Sequence, residues 1–313
     1  MLYDVPAPAK LNLFLHVVGR RPDGYHLLQT VFRFIDLCDT LHFDARADGR
    51  IERAADLPGV PARHDLTLRA AQALQQATGT RQGATITLEK NIPQGGGLGG
   101  GSSDAASTLI ALNRLWGTGL SRRDLMALAL PLGADVPVFV FGQSAFAEGV
   151  GEVLAPLDLP PAGYLVAQPD ASVPTAGIFS DPDLTRNTPS VTIADFLASQ
   201  DFGAKVVAKR VAASAQFLFG RNDLEPVVYR RYVAVSQAAR WLSGRGIHVR
   251  MSGSGACLFA QYATVQQAVL AQQEITATMR VAGDSTGHMQ PGFRLVRACP
   301  GLAEHPLRNW IAR

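Results

Sequence analysis

The sequence predicts a globular chain of mixed strands and helices, arranged as two domains or one large one. Three observations carry this. The 313 residues are 47% hydrophobic and 18% charged, enough apolar material for substantial cores. Apolar residues recur with a period of two in some segments and at helical spacing in others. Pro156, Pro160 and Pro161 then interrupt both patterns near the midpoint, which sets a boundary between residues 1–158 and 159–313.

From Ala9, the polar residues Lys10, Asn12 and His16 alternate with Leu11, Leu13, Leu15 and Val17, so Lys10 and Asn12 project from one face of a strand. Arg20 to Gly24 is a turn signal, and the apolar run Leu27 to Ile35 completes a hairpin. Tyr25 and His26 stand at its turn, either as packing residues or within reach of a ligand. A further strand is expected around Leu41 to Asp44, and a helix over Asp65 to Ala77.

Pro93 to Ala106 follows the alternating strand Thr85 to Glu89 and precedes Ala105, Leu109, Leu112 and Trp116, which recur at helical spacing. The segment holds six glycines around Leu98, then Ser102, Ser103 and Asp104. Glycines let backbone N–H groups approach an anion, and a helix start adds unpaired donors and a positive dipole end. This is a phosphate cradle rather than a linker, because a linker needs neither flanking element. Ser102, Ser103 and Asp104 are expected at cap positions, either hydroxyl facing a phosphate or its Mg²⁺. No GxxxxGK[ST] occurs, and a GxGxxG reading lacks the acidic residue about 20 positions on.

Ser121 with Asp124 reads as a capping box opening a helix through Leu130. Asp135 stands at the mouth of an apolar run, Val136 to Phe141, as a cap or as a reactive group with a cationic partner. Tyr164 to Val166 reads as a strand, and Pro169 to Pro189 as a lid or slack loop. Helices are expected over Ala204 to Phe219, from about Glu225 through Leu242, and from Val265 to Met279. Ile247 to Met251 alternates as a strand into Ser252 to Ala256, a second glycine-rich turn, and Cys257 to Phe259 resumes it. The C-terminal remainder is weakly patterned.

Composition narrows the function classes. No run of about 18 uncharged apolar residues occurs, so no membrane partner is expected. The N-terminus lacks a basic region followed by an apolar core, and Cys38, Cys257 and Cys299 are a dispersed odd set that suits the reduced thiols of a cytoplasm. Seven histidines fall into no zinc motif. The net charge of +3 is small, and the basic spots Arg20 with Arg21 and Lys209 with Arg210 are short, which argues against a nucleic-acid partner.

The Lys10 strand, the glycine loop and the Ser252 to Ala256 turn occur in the order of the three motifs of the GHMP kinase superfamily, and the chain resembles that family nearly end to end. Its branch acting on a cytidine diphosphate alcohol, in non-mevalonate isoprenoid synthesis, is the closer likeness. Ala9 to Asn12, Arg21 to His26, Gly133 to Pro137, Arg186 to Pro189 and His305 to Leu307 carry that part of it. The resemblance implies a two-domain α+β fold with an N-terminal glycine-loop domain and a C-terminal ferredoxin-like domain, the active site lying between them. It implies ATP with Mg²⁺ as cofactors and Asp135 as the base toward the substrate hydroxyl, with Lys10 as the cation beside it. Pro93, Gly95, Gly96, Gly97, Leu98, Gly99, Gly100, Gly101, Ser102 and Ser103 would hold the nucleotide. Asn12, Tyr25, His26 and Phe179 would hold the alcohol, its cytosine recognised by stacking and by a site that accepts the exocyclic amine. The metal ligand and the oligomeric state stay open. Asp65 departs from the Asn common in the family near the nucleotide base.

Overall fold

A computed structural model describes residues 1–199, 218–281 and 291–311. Two long strands, β1 (Leu2–Arg20) and β2 (His26–Arg46), form an antiparallel hairpin. The turn closes where Arg21 N–H donates to the Tyr25 carbonyl at 2.7 Å and Gly24 takes φ of +93°, a conformation that suits glycine. The segments read as separate strands at Leu27 to Ile35 and Leu41 to Asp44 are one continuous β2. It is the spine of a six-stranded sheet with β3 (Ile51–Arg53), β4 (Gly83–Glu89), β5 (Ala145–Glu148) and β6 (Val153–Pro156), in the order β3-β4-β2-β5-β6 with β1 also paired to β2.

The parallel pair β3 and β4 is joined through α1 (Leu66–Thr78), whose cap is Asp65 and whose end is Gly79 at φ +66°. Helix α2 (Gly100–Leu115) is buried at every position from Ser103 to Asn113, which is why it is built of small residues. β1 carries Pro6 and Pro8 and pairs only with β2, the edge placement that proline tolerates. Their carbonyls accept from Ser107 and Ser103 of α2 at 2.9 and 2.7 Å. Helix α3 (Arg122–Ala129) opens with the expected capping box, and the apolar run after Asp135 forms the short buried helix α4 (Val136–Phe141).

The second sheet contains β7 (Gly163–Pro169), β8 (Arg250–Met251), β9 (Leu258–Tyr262) and β10 (Phe293–Pro300), antiparallel in the order β10-β7-β9-β8. The change of sheet falls between Pro156 and Gly163. Around it lie α5 (Thr175–Phe179), α6 (Glu225–Arg231), α7 (Val233–Ser243) and α8 (Val265–Val281). The single helix expected through Leu242 is two, because Tyr232 leaves helical geometry at φ −123° and ψ 85°. The strand expected from Ile247 shrinks to Arg250 and Met251. Strand β10 was not expected, since its half-buried residues show no clean alternation. The helix expected over Ala204 to Phe219 lies, but for its last two residues, outside the described residues.

Each sheet has a core, the first also taking Leu307 and Ile311 from the C-terminal end and the second Leu15 and Val17 from β1, and a third apolar cluster forms the seam between them. Leu11, Phe14, Ile35, Ile92 and Leu98 from the first half pack there with Tyr164, Val166, Cys257 and Phe259 from the second. Burial of this kind, worth about 25 cal/mol per Å² of apolar surface, joins the halves along β1.

Candidate active site

A cleft of about 1050 Å³ opens beside this seam. Its centre is the middle of β1. Lys10 is 3% exposed, and its Nζ lies 3.1 Å from Asp135 Oδ2 and donates to Asn12 Oδ1 at 2.6 Å. Asn12 is held in turn by Thr30, whose Oγ1 accepts from Nδ2 at 2.9 Å, and the Phe32 ring lies 5.3 Å from the ammonium. Asp135 occupies the cap position of α4 yet caps nothing with its side chain. Its carboxylate is 37% exposed and faces the cleft.

The glycine loop forms the adjoining wall. Pro93, Gly95, Gly96, Gly97, Leu98, Gly99, Gly100, Gly101 and Ser102 all line the cleft, and Gly95, Gly97 and Gly99 have φ of +65°, +73° and +72°. Gly99 itself is the cap residue of α2, three to five residues earlier than the cap positions expected of Ser102, Ser103 and Asp104. Ser103 is consequently inside the helix. Its hydroxyl donates to the Pro8 carbonyl and its side chain is fully buried, so it is turned away from the cleft. Ser102 is the hydroxyl that faces it.

The late glycine turn shapes this loop from behind. Ala256 and Cys257 N–H groups donate to the Gly95 and Gly96 carbonyls, each at 3.0 Å, and Ser252 Oγ donates to the Gly97 carbonyl at 3.1 Å. The same hydroxyl accepts from Asn12 N–H at 3.2 Å. A Cβ at Gly97 would sit 2.1 Å from the Ser252 carbonyl oxygen, so only glycine fits this contact.

Sequence reasoning missed Lys90, which lines the cleft and binds the buried carboxylates of Asp39 and Asp104. Asp39 also accepts from the N–H groups of Asn91 and Ile92 at 2.6 and 2.7 Å. Burial pushes the Asp104 carboxyl up to about 8 against the pull of Lys90, and the Asp39 charge pushes the same way as burial. Nothing local signals this trio, because its outer members, Asp39 and Asp104, lie 65 residues apart in the chain and all three meet only when β2, β4 and α2 pack. Asp65 also borders the cleft, but both its oxygens are engaged. Oδ1 accepts from Thr67 N–H and Oγ1 at 2.8 and 2.6 Å, and Oδ2 lies 3.3 Å from Arg53.

Further along the hairpin, Tyr25, His26 and Phe179 line the same cleft. Tyr25 is 64% exposed, and the His26 and Phe179 rings stand 5.1 Å apart. The pairing of an ammonium with a carboxylate beside a phosphate-sized glycine loop is suited to transferring a phosphoryl group to a hydroxyl.

Comparison with known proteins agrees. The GHMP kinases N-terminal domain matches residues 65–143 and the GHMP kinases C-terminal domain matches 208–281. The 4-diphosphocytidyl-2-C-methyl-D-erythritol kinase of Bordetella bronchiseptica is 73% identical over 311 residues, 99% of either chain. This chain belongs to the 4-diphosphocytidyl-2-C-methyl-D-erythritol kinase family. A crystal structure of 4-(cytidine 5'-diphospho)-2C-methyl-D-erythritol kinase superposes with a TM-score of 0.74 at 34% identity, covering 95% of this chain and 97% of that one. The homoserine kinase of Cytophaga hutchinsonii shares the fold at a TM-score of 0.64 and 15% identity, with 97% and 95% covered. The α+β fold of this family member is thus the two-domain fold of GHMP kinases, and the chain is a small-molecule kinase.

Proposed function

We propose that this chain transfers the γ-phosphoryl group of ATP to the 2-hydroxyl of 4-diphosphocytidyl-2-C-methyl-D-erythritol, in the cytoplasm, with residues 1–158 and 159–313 as its two domains. The observation that carries the reading is the Lys10 and Asp135 pair, 3.1 Å apart and bordering the glycine loop. Asp135 Oδ takes the hydroxyl proton as the oxygen attacks the γ-phosphorus, and the Lys10 ammonium stabilises the charge developing on that oxygen. Asn12, fixed by Lys10 and Thr30, orients the reacting end of the alcohol.

The triphosphate lies against the glycine loop, where the unpaired N–H groups at the start of the 16-residue α2 point. Three positive-φ glycines, and the absence of any side chain from the loop's glycine positions, suit the close approach of phosphate. Among the described residues no group of three or more His, Cys, Asp or Glu side chains gathers to hold a metal. The Ser102 hydroxyl and the Asp135 carboxylate are donors suited to a Mg²⁺ that arrives on phosphate oxygens and keeps much of its water. When bound, that ion neutralises charge on the β- and γ-phosphates.

The cytosine belongs with Tyr25, His26 and Phe179, where stacking contributes about 1 to 3 kcal/mol. Three free cysteines, with burial pushing Cys38 and Cys299 each up to about 12, suit a reducing compartment. The test is phosphate transfer from ATP across a panel of the cytidine diphosphate alcohol, homoserine and mevalonate. Transfer to the first alone supports the reading. Transfer to either of the others in preference overturns it.

A further inference from the structure

The last described stretch of the chain returns from the second half to the first. After β10, Gly301 N–H donates to the Ala162 carbonyl at 2.9 Å and Leu302 N–H to the Phe34 carbonyl at 2.8 Å, and Leu307 and Ile311 are then buried in the core of the first sheet. The segment thereby reaches α4, the helix whose N-terminal cap position is Asp135.

Helix α4 has only six residues, too few to be stable by itself, and the last carbonyls of any helix find no partner within it. Here they are met from outside. Arg122 Nη1 donates to the Val140 and Phe141 carbonyls at 2.7 and 3.3 Å, and His305 N–H donates to the Gly142 carbonyl at 3.0 Å. Arg122 Nη2 donates to the Arg308 carbonyl at 2.7 Å, so one guanidinium ties the end of α4 to the returning segment. The rigid fork of arginine suits this task, and the point charge of lysine does not reproduce it.

The opposite end of α4 bears on the reaction. The Asp135 side chain caps nothing and meets Lys10 at 3.1 Å, so where the carboxylate stands follows from where the helix lies. Phe139 of α4 stacks on Phe34 with centroids 5.5 Å apart, and a Cβ at Gly99 would come within 3.0 Å of the Phe139 ring. The His305 ring stands edge-on to both phenyl rings. A shift of α4 therefore moves the carboxylate against Lys10 and the glycine loop together.

We propose that Arg122 is a positioning residue for phosphoryl transfer: by binding the C-terminal end of α4 to the returning segment, it holds Asp135, at the other end of the helix, against Lys10. The proposal rests on the reading of Asp135 as the base. Arg122 lies outside the cleft lining, so its effect passes through the helix.

Arg122→Met keeps most of the stem and removes every donor. Its kcat should fall about 10- to 100-fold, the penalty of a misplacement of about 1 Å, while KM for ATP and for the cytidine diphosphate alcohol stays close to wild type. Loss of folded enzyme would also lower kcat, so the deciding measurement is a double-mutant cycle with Asp135→Asn. Beside Asp135→Asn, Arg122→Met should lower kcat no further, because the group it positions is already gone. A merely structural loss would lower kcat by the same factor in either background. Where urea denaturation shows that the methionine variant does not fold, Arg122→Lys carries the same cycle, with a smaller fall in kcat and again no further fall beside Asp135→Asn.

A folded Arg122→Met enzyme with wild-type kcat, or equal factors in the two backgrounds, overturns the proposal while Asp135→Asn stays impaired. If Asp135→Asn itself turns over like wild type, the assignment of the base falls, and this proposal with it.

Discussion

Replacing Asp135 by Asn should separate chemistry from stability, and the contrast with Lys10→Met shows why. Asp135 is a 37% exposed carboxylate whose salt bridge, among the described residues, runs to Lys10, and Asn leaves an oxygen near the same ammonium. The expected stability change is therefore within about 1 kcal/mol, the ordinary range for a solvent-reached ion pair. Lys10 is different. Its side chain is 3% exposed, and removing it strands the buried Asn12 Oδ1, which it meets at 2.6 Å. An unsatisfied buried acceptor costs about 1 to 3 kcal/mol. Turnover should fall in both, by roughly 10² to 10⁴-fold in Asp135→Asn if the carboxylate takes the proton, which corresponds to about 3 to 5 kcal/mol of barrier. Steady-state phosphorylation alongside urea denaturation reads both quantities. A folded Asp135→Asn enzyme with near wild-type kcat removes Asp135 from the mechanism. Equal destabilisation of the two variants refutes the burial argument.

Gly97→Ala should lower stability and nucleotide affinity together, since its φ is +73° and a Cβ would meet the Ser252 oxygen at 2.1 Å, whereas Gly101→Ala, whose nearest neighbour is Leu66 at 3.7 Å, should stay as stable as wild type. Thermal melts and nucleotide titration compare them, and equal behaviour would remove the role of the seam. His305 is buried with its pKa driven down to about 3 from 6.5 by burial and Arg122. The unfolded chain takes up a proton that the folded one refuses, so this contribution is full above about 6.5 and is lost as pH falls toward 3. Denaturation midpoints of wild type and His305→Gln should converge with acidification. Asp104 has the opposite sign, because its folded pKa is raised. The native state keeps a proton that the unfolded chain releases, so stability declines as pH climbs from about 4 to about 8, and Asp104→Asn should flatten that slope in titrated denaturation.

The legible features were those written locally. Period-two alternation placed Lys10 and Asn12 on one face, and glycines between a strand pattern and a helix pattern gave the loop. Ser103 misled because the helix begins at a glycine able to take positive φ, so the serines fall within the first turns instead of capping them. Gly99 and Gly100 read as space for phosphate alone, yet a Cβ at either would approach protein atoms to 3.0 Å, the Phe139 ring at Gly99 and Ile92 at Gly100. What was not legible depends on tertiary packing: the Lys90 trio, the Arg186 Nε–H that donates to His26 Nε2 at 3.0 Å, and β10, whose pattern has no clean period because both its faces are only half covered.

The N-terminal strand carries a consequence for biosynthesis. Val17 N–H binds the Asp223 carboxylate and Asn12 N–H binds Ser252, partners 206 and 240 positions downstream. A ribosome adding about 5 to 20 residues per second exposes this strand for roughly 10 to 50 seconds before Ser252 exists. Throughout that interval the hairpin of β1 and β2 has an apolar side awaiting the second sheet, which is the circumstance in which nascent chains aggregate. Chaperone dependence during synthesis should accordingly be greatest for chains stalled between β6 and β9, and should ease once β9 has emerged.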